Sequence, residues 1–449
     1  NVLVGRSDRP VSLTSIVCKL LESIIRDHIM DHLKRNNLLS DDQHGFRAGR
    51  SCVTQLLEIM DLWTTMLDEG GSLDVVYLDF RKAFDSVPHQ RLLNKVQAYG
   101  IDGRVLEWIR CFLTDRKQRV IVKGKPSSWA DVLSGIPQGS VLGPILFIIF
   151  INDLPDVVDT CVKIFADDTK IFNHIRTQSD CEKLQRDLDN LSEWSDKWQL
   201  RFNVSKCGVM HYGHQQNDST YSMSENNVRR ELKVLTEEKD LGVNFDPSLT
   251  FSKHVSMVAS KANRTVGVIR RTFKFLNDVM LKTLYKSLVR PILEYANCIW
   301  APIYLKDIKK IENVQRRATK LVKELREMSY EERLRKLDLP TLAYRRKRGD
   351  LIQVYKIMTQ ANDMEIESLF EMANRNIGTR GHNLKIQKQH SRLKLREHSF
   401  ANRVVNSWNS LPAGVVNATS INSFKNGVDA ALDKTCDKFT YGVGSLWQQ

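Results

Sequence analysis

The stretch Cys161-Val-Lys-Ile-Phe-Ala-Asp-Asp-Thr-Lys-Ile-Phe172 constrains this chain more than any other. Val162, Ile164 and Ala166 recur at period two, and Ile171 and Phe172 restore the apolar character afterwards. The pattern predicts two short strands with Asp167 and Asp168 at the turn between them. Adjacent carboxylates repel each other and hold a proton more tightly unless something positive neutralises them. A divalent cation does this, and hard ions such as Mg²⁺ favour carboxylate oxygens. Taken alone, an Asp-Asp pair reads more readily as a polar turn.

A third acid changes that balance. Leu73-Asp-Val-Val-Tyr-Leu-Asp79 has the composition of a buried strand and ends in a carboxylate, which is costly unless paired or metal-bound. Asp79 is therefore the natural companion of Asp167 and Asp168. Asp85, six residues on, reads equally as a cap for a following helix. Between these acids lies Ser134-Gly-Ile-Pro-Gln-Gly-Ser-Val-Leu-Gly-Pro144, whose glycines permit close approach to a ligand or a neighbouring strand. It has neither the Gly-Lys-Ser/Thr of a P-loop nor the strand–GxGxxG–helix setting of a dinucleotide site.

Charge divides the chain. The net charge is +14, yet residues 1–250 hold 31 Lys/Arg against 35 Asp/Glu, while residues 251–449 hold 36 against 18. A basic second half suggests a polyanionic partner, although solvated helix surface explains the same composition. The eight cysteines are never closer than 20 residues, so no disulfide framework or Cys-x-x-Cys zinc site is expected. Cys207, His211 and His214 cluster without a fourth ligand, and His28 and His32 sit four apart; all are expected in ordinary packed or surface roles. The most apolar run, Val141 to Ile151, is too short to span a bilayer. With no signal-peptide pattern and a start at Asn, the chain is expected to be a fragment working inside the cell, in cytoplasm and nucleus, and not secreted.

Helical spacing marks residues 11–39, through Ile16, Leu20, Leu21, Ile24, Ile25, Ile29 and Leu33, and again about 52–68 and 145–151. Leu184, Leu188, Leu191, Trp194 and Trp198 form an apolar helix face, with the tryptophans expected in the core. Strands are expected over Leu200–Lys206 and as a pair around a turn from Lys233 to Phe245. From about 251 the chain turns helical and basic, with Val255, Val258, Ala262, Val266 and Ile269 inward and Lys261, Arg264, Arg270 and Arg271 outward. Arg47 and Arg50, in the loop Gln43–Ser51, have the fork geometry that suits phosphate.

The ordered combination of a strand-end Asp79, a Gly/Pro/Gln loop and an Asp167-Asp168 hairpin resembles reverse transcriptases, most closely those of non-long-terminal-repeat, LINE-type and jockey-like retrotransposons. The matching stretches are RPVSLTSIVCKLLE (9–22), QHGFRAGRS (43–51), LDFRKAFDSV (78–87), GIPQGSVLGP (135–144), FADD (165–168), LRFNVSKC (200–207) and LGVNF (241–245), with SWNSLPAGVV (407–416) near the end. The resemblance implies an α+β right-hand polymerase with fingers, a palm built on an antiparallel sheet and a helical thumb, plus a helical basic C-terminal region. The implied boundaries are partial fingers at 1–72, palm with inserted fingers elements at 73–250, thumb at 251–300 and a basic tail at 301–449, the reverse transcriptase domain ending near 246.

It also implies roles. Asp79, Asp167 and Asp168, with the Phe80 carbonyl, hold two Mg²⁺ ions (Mn²⁺ being a substitute), and Lys206 protonates the leaving pyrophosphate. Arg47 reaches the triphosphate, with Arg81 and Lys82 as helpers. Phe84 excludes a ribose 2′-hydroxyl, and Gln138 and Gly139 line the nucleotide pocket. Gly242 belongs to a turn gripping the primer end, and Lys261, Arg264, Arg270 and Arg271 contact nucleic acid. The expected activity is RNA-directed DNA polymerisation, transferring nucleotides from dNTPs to a primer 3′-hydroxyl on an RNA template, with a DNA primer or target as partner and no membrane. The endonuclease domain of such elements is expected to be absent. An inactive or domesticated relic that binds nucleic acid is the alternative, and another palm polymerase a third reading, against which Phe84 argues.

Overall fold

A computed structural model describes residues 12, 14–213, 219–225, 228–373, 381–434 and 437–441. It divides into two compact units, one drawn from residues up to Ser51 and from Gly71 to Leu235, the other from Cys52–Gly70 and from Thr236 onward. That division cuts across the boundaries expected above, because residues 52–70 and 236–250 pack with the second unit.

In chain order the first 200 residues form helix α1 (Ile16–Arg35), α2 (Cys52–Glu69), strand β1 (Ser72–Leu78), α3 (His89–Ala98), α4 (Gly103–Leu113), α5 (Gly143–Ile151), the hairpin β2 (Cys161–Phe165) and β3 (Asp168–Ile175), and α6 (Gln178–Trp198). Strands β4 (Gly208–Tyr212) and β5 (Lys233–Val234) complete a five-stranded sheet in the order β5-β4-β1-β3-β2. β1 lies at its centre, antiparallel to both β3 and β4, while β5 runs parallel to β4. The mixed, mainly antiparallel sheet with helices packed on it is the α+β palm architecture expected from the resemblance.

β1 is buried along its length, which accounts for its nearly continuous apolar sequence. Val76 and Leu78 share one core with Leu146, Phe147, Ile149 and Phe150 of α5 and Leu184, Leu188 and Leu191 of α6. Every described side chain of α5 except Pro144 is buried, so its all-round hydrophobicity reflects a core helix. Among the described residues no helix is long and apolar enough to cross a membrane. Trp194 is buried, as the spacing predicted, and Trp198 is packed against the same core.

The helix marked at 11–39 is α1, and two strand expectations are corrected. The apolar stripe of α1 is only partly buried: Ile29 and Leu33 are, but Ile16, Leu20 and Ile24 are 87%, 64% and 51% exposed. Helical spacing fixes which residues share a face, and the helix runs past the core it packs against. Leu200–Lys206 is a loop, because the Asn203 carbonyl accepts from both Lys206 N–H and Cys207 N–H and turns the chain before the ladder begins at Gly208. The expected strand pair at 233–245 is also divided. Lys233–Val234 joins the sheet, and only β6 (Glu238–Asp240) and β7 (Val243–Phe245) pair across Leu241 and Gly242.

The second unit is helical. α7 (Ser252–Thr272) packs on α8 (Leu305–Thr319) and β7, and α10 (Leu342–Met358) packs on α11 (Ile421–Asp433), with α9 (Tyr330–Leu337) beside α8. α2 belongs here, fixed by Arg396, whose guanidinium lies 2.5 Å from Asp61 with both side chains largely buried. Much of the unit's positive charge is likewise internal. Arg403 pairs with Asp350 at 3.1 Å, Arg345 binds both oxygens of Glu294 and Arg348 both oxygens of Asp429. Glu312 accepts from Tyr330 in the core at 2.5 Å, and burial raises its carboxyl pKa.

Candidate active site

The ladders run up to the positions of Asp79 and Asp168. β1 and β3 pair as far as Leu78 opposite Thr169, so Asp79 directly follows and Asp168 directly precedes the last pair of that ladder. β2 and β3 pair down to Phe165 opposite Asp168, leaving Ala166 and Asp167 as a two-residue turn. Such turns need a positive φ at their first position, and Ala166 has φ +55°. A non-glycine residue held there costs roughly 1–2 kcal/mol, so its surroundings must compensate.

Asp79 is fixed through its backbone. Its N–H meets Cys207 Sγ at 3.4 Å and its carbonyl accepts from Asn203 N–H at 2.7 Å. Burial pushes the Cys207 thiol pKa up to about 12, so this sulfur is a packed, uncharged acceptor. The bonds from Arg81 N–H to Arg201 O and from Asn203 N–H to Asp79 O flank Phe80, leaving the Phe80 carbonyl out of the ladder, while its ring stacks on Phe202 at 4.5 Å. The same loop carries Lys206 to the site, its Nζ 3.0 Å from Asp79 Oδ2. That oxygen is buried yet makes no aligned hydrogen bond, so the contact is an ion pair only.

Among the described residues no three His, Cys, Asp or Glu side chains converge as a ligand cluster. The donor set nonetheless suits a hard cation: acids at neighbouring positions, a carbonyl outside the ladder, and one buried carboxylate oxygen without a hydrogen bond. Lys206 Nζ stands against that oxygen, and at 67% exposure its side chain is free to swing aside.

The Gly/Pro loop closes against the segment that follows Asp79. Gly135 N–H donates to Val87 O and Ile136 N–H to Phe84 O, at 2.8 and 2.7 Å. A Cβ on Gly135, at φ +89°, would stand 2.6 Å from Asp85 O, so only glycine fits. Gln138 Nε2 donates to Asp85 Oδ1 at 3.0 Å, which gives the ambiguous Asp85 a partner in the expected nucleotide pocket. Gly139 lies beside it at φ +94°. Phe84 is half-buried and stacks on Phe147 at 4.4 Å.

Arg47 and Arg50 are engaged within their own loop. Arg47 donates to Ser40 O and lies 3.6 Å from Asp41, and Arg50 lies 2.9 Å from the same carboxylate. Arg81 and Lys82 are exposed. His211 Nδ1 is 2.7 Å from buried Asp74, and His32 Nε2 is 2.8 Å from Tyr99 O, the ordinary roles expected for both; His214 lies outside the described residues. In the second unit, Gly242 (φ +87°) forms the β6–β7 turn, held by Tyr295, whose hydroxyl donates to Leu241 O at 2.8 Å. Lys261, Arg264, Arg270 and Arg271 are all exposed on α7.

Two residues escaped the sequence reading. Glu22 is fully buried, accepting from Val141 N–H and Leu142 N–H at 2.7 and 3.0 Å where α5 begins. Gln43 is buried against the Ala166 turn. Both lie in stretches that carry the resemblance, yet neither role shows in sequence, since both act on backbone amides of distant segments. A pocket of about 510 Å³ lined by Ser86, His89, Gln90, Arg110 and Ser134 includes none of the three carboxylates in its lining.

Comparison with known proteins gives the family. The family model described as reverse transcriptase (RNA-dependent DNA polymerase) matches residues 5–245, more than half of the chain. The chain is 28% identical over 334 residues to a probable RNA-directed DNA polymerase from transposon X-element of Drosophila melanogaster, covering 70% of this chain and 35% of that protein. It is 27% identical to one from transposon BS and 27% identical to the RNA-directed DNA polymerase from mobile element jockey, both of the same fly, covering 70% and 69% of this chain and 36% and 35% of theirs. The chain thus spans about a third of the length of these relatives. A solved telomerase from Candida albicans superposes with a TM-score of 0.38 at 13% identity, over 70% of this chain and 57% of that one, too low a likeness to bear on function. By the family match over more than half of its length, the chain belongs to the reverse transcriptase (RNA-dependent DNA polymerase) family.

Proposed function

We propose that this chain is the RNA-directed DNA polymerase of a non-long-terminal-repeat retrotransposon, adding deoxynucleotides to a primer 3′-hydroxyl on an RNA template. The observation that carries the reading is the β1–β3 register, which ends one residue short of both Asp79 and Asp168, with Asp167 on the adjoining turn. In this reading Asp79 and Asp167, with Asp168 alongside and the Phe80 carbonyl, hold two divalent ions, Mg²⁺ with Mn²⁺ as substitute. Bound there, such ions supply Lewis acidity to the attacking hydroxyl and the departing pyrophosphate.

The chain's own residues do the rest. As the bond from the 3′-oxygen to the α-phosphorus forms and the bond to pyrophosphate breaks, Lys206 gives a proton to the leaving oxygen. Lys206 must first release Asp79, which its exposure allows. Gln138, held by Asp85, and Gly139 bound the nucleotide, Phe84 blocks a 2′-hydroxyl, and Arg47 reaches the triphosphate when its loop contacts exchange. Gly242 and the outward basic residues Lys261, Arg264, Arg270 and Arg271 contact the primer–template. A cytoplasmic and nuclear site of action accompanies this role.

The test incubates pure chain with an RNA template, a DNA primer, dNTPs and Mg²⁺. Extended primer that disappears with EDTA and returns with Mn²⁺ supports the proposal. Binding of the primer–template without extension in either metal identifies a relic instead.

A further inference from the structure

The Gln43–Ser51 loop is conspicuous in the sequence for its arginines, yet its first residue makes the most consequential contact. Gln43 is 1% exposed. Its Oε1 accepts from Gly45 N–H at 2.7 Å and from Ala166 N–H at 3.0 Å, 123 positions away. Both partners are backbone donors, so the side-chain oxygen must be the atom facing them. Ala166 is the first central residue of the turn that carries Asp167, and it is held at φ +55°.

The surrounding backbone is built for this contact. His44 N–H donates to Ile164 O at 2.8 Å and Ile164 N–H to Asp42 O at 2.9 Å, so residues 42–44 lie along β2 like an added parallel bridge. A Cβ at Gly45 would stand 2.5 Å from Ala166 N and 2.9 Å from Gln43 Oε1. Only glycine lets the loop press against the turn. A turn with an alanine at positive φ has other conformers within reach, and each would aim the next side chain, Asp167, differently.

We infer that Gln43 is a positioning residue, which clamps the Ala166 amide so that the turn holds the Asp167 carboxylate in one orientation. Gln43 acts through Ala166 and touches no reacting atom. The effect on turnover rests on the polymerase reading above, whereas the clamp itself does not. A buried amide that merely filled space would leave the turn unchanged on substitution by an apolar side chain of equal length.

The experiment compares the full chain with Gln43→Met, which keeps the shape and removes the acceptor, and Gln43→Glu, which keeps the acceptor. Asp167→Asn serves as the inactive control. Residue-resolved hydrogen exchange follows the Ala166 amide, and primer extension gives kcat, KM for dNTP and the Mg²⁺ concentration for half-maximal rate. The inference expects Ala166 protected in the parent chain, with protection falling at least tenfold in Gln43→Met while Ile164 and Thr169 keep theirs. It expects kcat to fall 10- to 100-fold with KM for dNTP unchanged and the Mg²⁺ requirement raised, and Gln43→Glu to recover most of both. An unprotected Ala166 amide in the parent chain overturns the clamp without any variant. So does unchanged protection in Gln43→Met, or protection lost evenly across the sheet, which marks plain packing. If the parent chain fails to extend a primer but the exchange pattern is as expected, the clamp stands and the polymerase reading falls. If the turn opens in Gln43→Met while kcat and the Mg²⁺ requirement hold, the positioning role is refuted and the polymerase reading is untouched.

Discussion

The contact between Lys206 and Asp79 separates chemistry from packing at the level of single residues. The ammonium stands 3.0 Å from Asp79 Oδ2, yet the lysine side chain is 67% exposed, so removing it disturbs little packing. Lys206→Met is expected to bind Mn²⁺ more tightly in an EPR titration, because a competing cation has gone. The same variant should add nucleotides roughly 100-fold more slowly, the scale of a lost general acid. Weaker Mn²⁺ binding would mean the ammonium does not compete for the carboxylate, and an unchanged rate would remove the proton-donor role. Phe84 offers a second single-residue test, since its ring lies flat on Phe147 at 4.4 Å. Phe84→Ala should lower the preference for dNTP over rNTP at least tenfold in a competition assay. An unaltered preference would place that discrimination in another side chain. Asp79 stands out in the sequence because an acid at the end of an apolar strand has few inexpensive explanations. Gln43 and Glu22 do not, because nothing near them in sequence reveals the distant amides they satisfy.

Strand period and helix spacing located β1, the β2–β3 hairpin, α5 and α6 within a few residues of where they stand. They failed at 200–206, where the apolar alternation of Leu200, Phe202 and Val204 is real, but Asn203 turns the chain to cradle Asp79. They marked the apolar face of α1 but not its burial, since period says nothing about how far a core extends. The contact of α7 with the β6–β7 hairpin invites a pH test. His254 Nδ1 accepts from Asn244 N–H at 3.1 Å, which requires a neutral ring, and its ring packs T-shaped against Trp300 with centroids 5.1 Å apart. Burial lowers its pKa to about 4, against an ordinary 6.5. Between those values the unfolded chain binds the proton and the folded chain does not. The stabilisation is therefore complete above pH 6.5 and is lost as pH falls toward 4, by something on the order of 3 kcal/mol. Denaturant melts of His254→Gln should show a shallower decline than the parent over that interval; parallel curves would mean the histidine is not buried neutral.

Across the whole molecule, charge was legible as a quantity and not as a surface. The second half carries 36 Lys/Arg against 18 Asp/Glu, but Arg333, Arg346 and Arg396 are buried, and Arg345, Arg348 and Arg403 are held in ion pairs. What remains for a polyanion includes the exposed residues Lys261, Arg264 and Arg271, which share one side of α7. Replacing all three by Gln should lower the slope of log affinity for single-stranded RNA against log salt by roughly 2. Arg348→Gln, which breaks an internal pair, should reduce stability and leave that slope alone. An unchanged slope in the triple variant would move the nucleic-acid face away from α7. All of these effects presuppose that the carboxylates on β1 and on the β2–β3 turn form one polymerase centre. Primer extension on a homopolymer RNA template in Mg²⁺, with the chain beside Asp167→Asn, tests that most directly. Extension by the parent and a loss of at least a thousandfold in the variant is the predicted result; equal extension by the two would contradict it.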